Sequence, residues 1–276
     1  MADVWVVTVV HGRHEHLANQ LRGLAISDPS TSHVVVAIDD LEVGPICTLH
    51  RGQRVVRVLD VPGHPLGLPL SSARNEGVNH ALTEGAELVV LLDVDCLAGV
   101  GTIDRYVAAA AATGPSLLCG PVTYLPEDVA LPGHPAGLEA LRHPHPVRPD
   151  PPSDAVQRRG DMNLFWSLSV ALTPATWNIV GGFCEDYIGY GGEDTDLGRI
   201  ADASGVELVW VGGADVYHQH HLVTTPPVEH LDDIIRNAAL FHARWGTWPM
   251  KGWLQEFDAL GLLDFDGEHL SRRASR

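Results

Sequence analysis

The stretch Val4-Trp5-Val6-Val7-Thr8-Val9-Val10, followed at once by His11-Gly12-Arg13, decides the fold of this chain of 276 residues. Five of its first seven residues are valine, and the run is almost wholly apolar. A short, continuous, β-branched run of this kind is typical of a strand that is buried on both faces, as strands of parallel sheets are. The chain therefore begins with a predicted inner strand of a parallel sheet.

Similar strands follow, and helical patterns separate them. Buried strands are predicted at residues 34–38, 55–61 and 87–92, with helices at 15–24 and 71–84. Strands that alternate with helices indicate βαβ crossovers and a mostly parallel, Rossmann-like sheet flanked by helices. The predicted fold class is therefore α/β.

The second half of the chain alternates less regularly. The pattern predicts helices at 103–113, 174–180, 196–204 and 231–245, and strands at 117–122, 168–172 and 206–211. Residues 126–161 interrupt it with many Pro and His residues and little periodicity. Because long segments without regular structure are usually lids or binding loops, we expect a mobile loop here.

Composition excludes several classes of protein. A net charge of −17 argues against a nucleic-acid partner, whose phosphates need Lys and Arg. Lys251 is the single lysine, so the Gly-Lys-Ser/Thr of a P-loop is absent. A phosphorylated ligand would therefore have to be neutralised by a metal ion and a few arginines. No apolar run reaches the ~20 residues that span a bilayer.

The remaining composition predicts a soluble, cytoplasmic protein. The four cysteines, Cys47, Cys96, Cys119 and Cys184, form no C-x-x-C pair and suit buried thiols in a reducing compartment, although a disulfide remains open. No signal peptide precedes the first strand. The tryptophan-rich stretch 245–253 leaves a peripheral membrane contact open, but packing against the sheet is the favoured interpretation.

Charged side chains follow the predicted strands where each one ends. These residues are Arg13, Asp39, Asp40, Asp93 and Asp95. Because ligands of open α/β sheets bind outside the carboxyl ends of the strands, we expect these side chains to share one site. Asp39 or Asp40 could accept a hydrogen bond from a nucleobase, or could simply end a strand.

The triplet Asp93-Val94-Asp95 follows the fourth predicted strand directly. Alternation along an extended segment would point both carboxylates in the same direction. Two carboxylates that face one point can bind a hard divalent cation. The alternative is a turn at the end of a strand, where Asp is common.

A glycine-rich acidic turn, Tyr190-Gly191-Gly192-Glu193-Asp194-Thr195-Asp196, carries three carboxylates. Glycine allows positive φ and the close approach of a ligand. Crowded like charges repel, which favours a site where one carboxylate binds a hydroxyl group and another takes its proton. The alternative is a solvated turn that caps the following helix.

Histidines and arginines supply the remaining candidates. The cluster His218-Gln219-His220-His221 contains metal-ligand side chains without the H-E-x-x-H spacing of zinc hydrolases. A mixed site of Asp95 and His218 is the preferred interpretation, and the choice among the three histidines stays open. Arg13 and Arg74 are the arginines best placed to meet phosphate.

Four segments together resemble the inverting GT-A glycosyltransferases, most closely the catalytic domain of the β-1,4-galactosyltransferase family. Arg13-His14-Glu15-His16-Leu17 resembles the Arg-x-Glu-His-Leu after that family's first strand, and residues 93–95 resemble its metal-binding Asp-Val-Asp. Residues 169–183 are similar to the segment that leads to its Gly-Phe. Residues 189–196 are similar to its Gly-Trp-Gly-Gly-Glu-Asp-Asp-Asp.

Two shorter matches and two departures complete the resemblance. Tyr217-His218-Gln219 resembles the metal-histidine motif of chondroitin-polymerase-type transferases, and Ser72-Ala73-Arg74-Asn75 is similar to the Ala-Arg-Asn of glycosyltransferase family 2. Tyr190 stands where the galactosyltransferases have Trp, and Thr195 where they have Asp. Together with the insert after Pro126, the aromatic change leaves the acceptor open.

The resemblance implies a metal-dependent inverting transferase. It would move a sugar from a nucleotide diphosphate donor, with UDP as the first choice, to a hydroxyl group of a glycan, lipid-linked or small-molecule acceptor. The implied residues are Asp194 and Glu193 as catalytic groups; Arg13, Asp39, Asp40, Arg74 and Asp93 at the donor; Tyr190, Gly191, Gly192 and Glu193 at the acceptor; and Asp95, His218 and Asp93 at Mn²⁺ or Mg²⁺.

The same resemblance implies a division of the chain. Residues 1–225 would form the GT-A domain, with the nucleotide bound by residues 1–100 and the acceptor by residues 101–225. Residues 226–276 would form a small helical extension, whose tail from Glu268, with Arg272, Arg273 and Arg276, we expect to be mobile.

Three alternatives remain at this point. A nucleotidyltransferase would be expected to have a glycine-rich basic loop after its first strand, for which His11-Gly12-Arg13 is a poor substitute. A retaining transferase would differ in the anomer of its product. A non-catalytic protein that binds sugar nucleotides would release no UDP.

Overall fold

The computed structural model describes residues 2–273, and its main feature is a large sheet. The strands of that sheet are β1 (Val4–Val10), β2 (Ser32–Ile38), β3 (Val56–Val61), β4 (Leu88–Leu92), β6 (Ser116–Cys119), β8 (Val156–Gln157), β9 (Ser169–Leu172) and β10 (Glu207–Val211). Their spatial order is β3-β2-β1-β4-β9-β6-β10-β8. Neighbours among β1 to β4 are parallel, as are β6 and β10, whereas β9 and β8 are antiparallel to theirs. The predicted α/β class with a mostly parallel sheet is confirmed.

Helices cover both faces of this sheet. They are α1 (His14–Ser27), α2 (Val43–His50), α3 (Leu70–Thr83), α4 (Thr102–Thr113), α5 (Pro174–Val180) and α6 (Glu193–Ala203). Two further helices, α7 (Leu231–Trp245) and α8 (Lys251–Ala259), belong to the C-terminal extension. Alternate residues of β2 serve opposite faces, since Val34 packs in one cluster with Ala73 of α3 and Val35 packs in another with Leu17 of α1. The result is a three-layer arrangement.

A second, smaller sheet lies beside the first and consists of β5 (Cys96–Ala98), β7 (Val122–Tyr124) and β11 (Val216–His218), in the order β5-β11-β7. In the antiparallel pairing of β11 with β5, His218 is the partner of Cys96. This register places a histidine beside Asp95, even though 123 positions separate the two in the chain (218 − 95).

The structure differs from the expectation of a loop without regular structure at residues 126–161. It contains a 3₁₀ helix at Pro135–Leu141, and β8 pairs with β10 at the edge of the large sheet. Arg142 forms ion pairs with Asp215 and Asp150. The segment shows no hydrophobic periodicity in its sequence because individual contacts, such as the ion pairs of Arg142, hold it in place instead of an amphipathic face. A lid formed by residues 126–161 stays a prediction.

The C-terminal extension, residues 226–273, has its own core. Helices α7 and α8 pack against each other and against a hairpin of β12 (Leu263–Phe265) and β13 (Leu270–Arg272). The prediction of a mobile tail was therefore wrong for residues 268–273, because β13 pairs with β12 and Arg272 contacts Asp232 at 2.8 Å. Arg276 lies outside the described residues.

The tryptophans of residues 245–253 belong to this extension rather than to the face of the large sheet. Trp248 stacks on His242 with ring centroids 4.0 Å apart, and Trp253 packs against the core of the extension. No helix in the described part of the chain is both long and apolar enough to cross a membrane. The four cysteines, all within that part, are free thiols, as predicted.

Candidate active site

The ends of β1 and β2 carry two residues in strained backbone conformations. Arg13 (φ 50°) and Asp39 (φ 45°) are two of the four residues other than glycine with positive φ in residues 2–273. Such strain costs roughly 1–3 kcal/mol and persists where the surroundings enforce it, often at functional sites. The strain brings the Arg13 guanidinium to 3.5 Å from Asp95.

The neighbouring Asp40 has a structural role. Its carboxylate accepts a hydrogen bond from the Gly12 amide at 2.7 Å and contacts His14 Nε2 at 2.8 Å. Burial opposes ionisation, but these hydrogen bonds outweigh it and lower the pKa of Asp40. Asp40, predicted at the donor, thus fixes the turn that presents Arg13.

A cleft of about 580 Å³ opens between the ends of β1 and β2 and the loop before α3. His11, Asp39, His64 and Leu68 are among its lining residues. One oxygen atom of the Asp39 carboxylate accepts a hydrogen bond from the Gly63 backbone N–H at 2.8 Å, and this bond holds the loop before α3 against the end of β2. The size of the cleft is in the range of small-molecule sites.

Asp95, His218 and His221 form one group, and their ligand atoms all lie within 4.8 Å of one another. Asp95 Oδ1 is 3.4 Å from His218 Nε2, and Asp95 Oδ2 is 3.4 Å from His221 Nε2. One carboxylate and two imidazoles fit a divalent transition metal better than Mg²⁺, which prefers oxygen ligands. The residues present therefore fit a divalent transition metal.

The protonation states of Asp95 and His218 suit metal binding, because metal ligands must be deprotonated. Burial of Asp95 opposes ionisation, but His221, His218 and Arg13 together outweigh it and lower its pKa. Burial lowers the pKa of His218, although Asp95 opposes this shift, so the imidazole is neutral near pH 7.

Asp93 and Glu193, a hundred positions apart, are joined by one arginine. Arg74 is buried on α3 and lies 3.2 Å from Asp93 Oδ1 and 3.3 Å from Glu193 Oε1. Burial disfavours its charge, but Asp93, Asp194 and Glu193 more than compensate, so the pKa of Arg74 is raised. Arg74, predicted at phosphate, links the Asp-Val-Asp turn to the acidic turn.

Glu193 and Asp194, the first two acidic residues of the turn, lie at the start of α6 and have different surroundings. Glu193 is buried, its Oε2 has no hydrogen-bond partner, and burial next to Asp194 raises its pKa to about 7 although Arg74 opposes the shift. Asp194 is half-buried and accepts two hydrogen bonds from Ser167, from the amide at 3.0 Å and from the hydroxyl at 2.6 Å.

The glycines before Glu193 allow this approach. Gly191 and Gly192 have φ of 91° and 97°, a region that residues with Cβ rarely adopt. Tyr190, beside them, is 39% exposed. Its ring stacks on His230 with centroids 4.6 Å apart and is tilted against Trp253 at 5.9 Å, so the extension contributes to this side of the site.

The third carboxylate of the turn is fully buried. Asp196 accepts hydrogen bonds from Arg244 Nε at 2.7 Å, Trp245 Nε1 at 2.6 Å and the Tyr187 hydroxyl at 3.2 Å. Such a saturated carboxylate cannot take a proton from a ligand. It attaches α7 of the extension to the start of α6.

Sequence reasoning found most of the residues that the structure brings together. Arg13, Arg74, Asp93, Asp95, His218, Glu193 and Asp194 form a continuous chain of contacts or close neighbours. Their assigned roles stay predictions. His221 was one of the three histidines among which the choice was left open. Ser167 was missed, because it follows Phe165 and Trp166 and carries no motif.

Comparisons with known proteins support a relation to glycosyltransferases. Residues 152–222 match the family described as the N-terminal domain of galactosyltransferase. Validoxylamine A glucosyltransferase of Streptomyces hygroscopicus subsp. jinggangensis (strain 5008) is 32% identical over 183 residues. That match covers 55% of this chain and 40% of the relative, so the chain spans well under half of the relative's length.

Solved structures with the same architecture are more distant in sequence. S. aureus TarS 1-349 in complex with UDP-GlcNAc gives a TM-score of 0.59 at 11% identity and covers 92% of this chain and 76% of that one. GalNAc-T7 with UDP, GalNAc and Mn²⁺ gives 0.56 at 16% identity, over 80% of this chain and 44% of that one. These likenesses concern the fold alone, and they confirm the predicted GT-A architecture.

Proposed function

We propose that this chain, a homologue of glycosyltransferases with the GT-A fold, transfers a sugar from a nucleotide diphosphate donor to a hydroxyl acceptor with inversion. The observation that carries the proposal is the contact of Arg74 with both Asp93 and Glu193. This contact unites the donor-side and acceptor-side carboxylates in one site. A single site for both reactants is what group transfer requires.

The donor lies along the carboxyl ends of β1, β2 and β4. Its nucleoside occupies the 580 Å³ cleft, where the free oxygen of Asp39 accepts an N–H of the base. Arg13 faces the diphosphate. UDP is the preferred nucleotide, since TarS and GalNAc-T7, which share the fold, are described in complexes with UDP-GlcNAc and with UDP.

Asp95, His218 and His221 hold a divalent cation next to the diphosphate. The two imidazoles favour a transition metal over Mg²⁺, and we choose Mn²⁺ among these metals because the GalNAc-T7 structure, which shares the fold, is described with Mn²⁺. When bound, the ion supplies Lewis-acid stabilisation of the departing nucleoside diphosphate. Asp93 belongs to the same donor side: it holds Arg74 in place or accepts a hydrogen bond from the ribose of the donor.

The acceptor lies on the opposite side, at the start of α6. Its hydroxyl oxygen attacks the anomeric carbon while the bond to the diphosphate breaks, and the electron pair leaves with the diphosphate. Asp194, which Ser167 holds in place, takes the hydroxyl proton. Glu193 binds a neighbouring hydroxyl through its unpartnered Oε2. Attack opposite to the leaving group inverts the anomeric centre.

Tyr190, with His230 and Trp253, forms an aromatic wall for the acceptor. Gly191 and Gly192 let the acceptor approach the carboxylates. Aromatic rings bind apolar faces, and a polyhydroxylated ring presents such a face together with hydroxyl groups. Because one relative is named validoxylamine A glucosyltransferase, glucose and small polyhydroxylated acceptors are the first to test.

A screen of nucleotide release tests the proposal. The purified protein is incubated with a panel of UDP-, GDP- and dTDP-sugars, with Mn²⁺ or with EDTA, and with and without polyol acceptors. We expect release of UDP that depends on Mn²⁺ and increases with acceptor, with an inverted anomer in the product NMR spectrum. A retained anomer would contradict the mechanism, release of pyrophosphate would indicate a nucleotidyltransferase, and binding without release would indicate a non-catalytic protein.

A further inference from the structure

Helix α1 lies behind the candidate metal site and contacts it through Gln20. This side chain is 1% exposed, and its amide Nε2 donates to the carbonyl oxygens of Asp93 at 2.8 Å and Cys96 at 2.9 Å. These two carbonyls flank Asp95. Both hydrogens of the Gln20 amide are therefore used to fix the turn that carries the metal-binding carboxylate.

A directed series of buried hydrogen bonds sets the orientation of that amide. Arg54, which is a donor only, contacts His33 Nδ1 at 3.0 Å, so the imidazole proton lies on Nε2 and is donated to Thr8 Oγ1 at 2.9 Å. Thr8 Oγ1 lies 2.9 Å from Gln20 Oε1, and because an amide oxygen has no hydrogen, the Thr8 hydroxyl donates. The Leu92 carbonyl, at 3.0 Å, shares this proton.

This series, Arg54–His33–Thr8–Gln20, has no explanation in packing alone. Thr8 stands in the middle of β1 among valines and is fully buried, where valine would fill the same space. His33 is also fully buried, and burial together with Arg54 lowers its pKa, so it is neutral. Burying such polar groups is costly unless they are paired, and Thr8 and His33 are both paired in the direction of the Asp95 turn.

The same helix holds the histidine side of the site. Asn19 donates to Gln219 Oε1 at 2.8 Å, and Gln219 donates from Nε2 to the His16 carbonyl at 3.3 Å. The backbone N–H of Gln219 donates to the backbone carbonyl oxygen of Asp95 at 2.7 Å. Helix α1 is therefore the common support of the two segments that supply Asp95 and His218.

From these contacts we infer that Gln20, oriented through Thr8, His33 and Arg54, is a positioning residue that presets Asp95 for a divalent cation. The inference rests on the proposed function. Outer contacts of this kind orient metal ligands, and their loss typically lowers metal affinity ~10–100-fold. It is separable from catalysis, because its readout is the affinity for the metal alone.

The test is the dissociation constant of Mn²⁺ for the full chain, measured by calorimetric titration without donor. Gln20→Met keeps the length of the side chain and removes both donors, so we expect binding ~10–100-fold weaker than in the wild type. Thr176→Val is the matched control, since it removes a buried hydroxyl that bonds the Ser116 amide at 3.1 Å elsewhere in the fold. It should leave Mn²⁺ affinity unchanged.

Thr8→Val tests the directed series itself and also decides the matter if Gln20→Met does not fold. This variant removes the donor to Gln20 and the acceptor for His33. Because Gln20 keeps its own bonds to the Asp93 and Cys96 carbonyls, Mn²⁺ binding should weaken only roughly 2–10-fold. The double variant should bind no more weakly than Gln20→Met alone, because both residues act through one contact. If wild-type protein binds Mn²⁺ and the variants bind it equally well, the inference is overturned. If wild-type protein binds none, the proposed metal site fails and the inference with it.

Discussion

The two sides of the site treat their carboxylates in opposite ways. On the donor side, Asp95 lies beside Arg13, His218 and His221, and its pKa is lowered. On the acceptor side, Glu193 is buried next to another carboxylate, and its pKa is raised to about 7. The first environment favours a permanent anion that binds cations. The second leaves Glu193 partly protonated near neutral pH, so that it can donate a hydrogen bond to an acceptor hydroxyl beside the proposed base Asp194.

Arg74 prevents the two sides from acting independently. It carries the positive charge that lies between Asp93 and Glu193, so a change of charge on one side alters the field on the other. A pair of titratable environments with opposite shifts is the usual arrangement for acid–base chemistry. Arg74 contacts Asp93 and Glu193 but not Asp95, so substitutions of Asp95 and Asp194 should nevertheless separate metal binding from proton transfer.

The largest effect is expected for Asp194→Asn, which removes the proton acceptor and keeps the shape of the side chain. We expect kcat to fall ~10²–10⁴-fold while the dissociation constants of Mn²⁺ and UDP stay unchanged. Asp202→Asn, an exposed change on the same helix, is the control. Full turnover of Asp194→Asn, together with loss of turnover in Glu193→Gln, would show that Glu193 accepts the proton and that Asp194 binds the neighbouring hydroxyl.

Asp95→Asn should weaken metal binding on the donor side and leave the contacts of Asp194 and Glu193 on the acceptor side unchanged. Loss of a direct ligand should weaken Mn²⁺ binding by more than the ~10–100-fold that outer contacts cost. Asp93→Asn provides the comparison, because the Asp93 carboxylate pairs with Arg74 and should matter less to the ion. Equal losses in both variants, measured by titration with Mn²⁺, would make Asp93 a ligand as well.

Ser167→Ala should weaken the acceptor side through the position of Asp194. Removal of the hydroxyl that bonds Asp194 at 2.6 Å leaves only the bond from the amide. A hydrogen bond to a charged group contributes about 1.5–3 kcal/mol, so we expect kcat to fall roughly 10–100-fold with little change in the donor KM. Ser167→Thr, which keeps a hydroxyl, should recover most of the rate. A rise in the donor KM alone would disprove the positioning role.

Tyr190→Ala should affect the acceptor and leave the donor unchanged. Aromatic contacts contribute about 0.5–1.5 kcal/mol, so the acceptor KM should rise roughly 2–10-fold in steady-state kinetics at saturating donor. Tyr190→Phe keeps the ring and serves as the matched control. An unchanged acceptor KM in the alanine variant would remove Tyr190 from the acceptor site.

The smallest effect concerns stability and follows from the raised pKa of Glu193. A carboxyl group whose pKa is raised in the folded state stabilises it fully below the unfolded pKa, near 4.5, and this contribution is lost as the pH rises through about 7. Glu193→Gln should therefore unfold about 2–4 °C higher than wild type at pH 8.5, for a difference of ~1 kcal/mol, and similarly to wild type at pH 4.5. Scanning calorimetry at both values checks the sign. A variant that is less stable at pH 8.5 would show that Arg74 dominates.

The donor half was predictable because its signals are local. Buried valine runs define β1 and β2, and the ends of parallel strands necessarily meet at one edge of the sheet, so Arg13, Asp39 and Asp95 could be grouped from the order of residues alone. The Asp-Val-Asp triplet shows how far such reasoning reaches. Alternation predicted that both carboxylates face one ion, whereas the structure pairs Asp93 with Arg74 and Asp95 with the histidines.

The acceptor half depends on contacts between distant segments. Ser167 reaches Asp194 because the segment before β9 lies beside the start of α6, and Tyr190 meets His230 because the chain folds back on the turn just before α7. Neither contact has a periodic or compositional signal. The same holds for the 3₁₀ helix at Pro135–Leu141 and for β13, whose short lengths give no repeat to recognise.

The bond between Asp196 and the C-terminal extension has a consequence for protein engineering. A chain that ended before Leu231 would lose Arg244 and Trp245, and the Asp196 carboxylate, two positions from Asp194, would keep the Tyr187 hydroxyl but lose both of the side chains that donate to it through nitrogen. A graft of a foreign extension would face the same demand. New substrate preferences could be installed by exchanging residues 226–273 only if the incoming segment brought its own guanidinium and indole to that buried carboxylate.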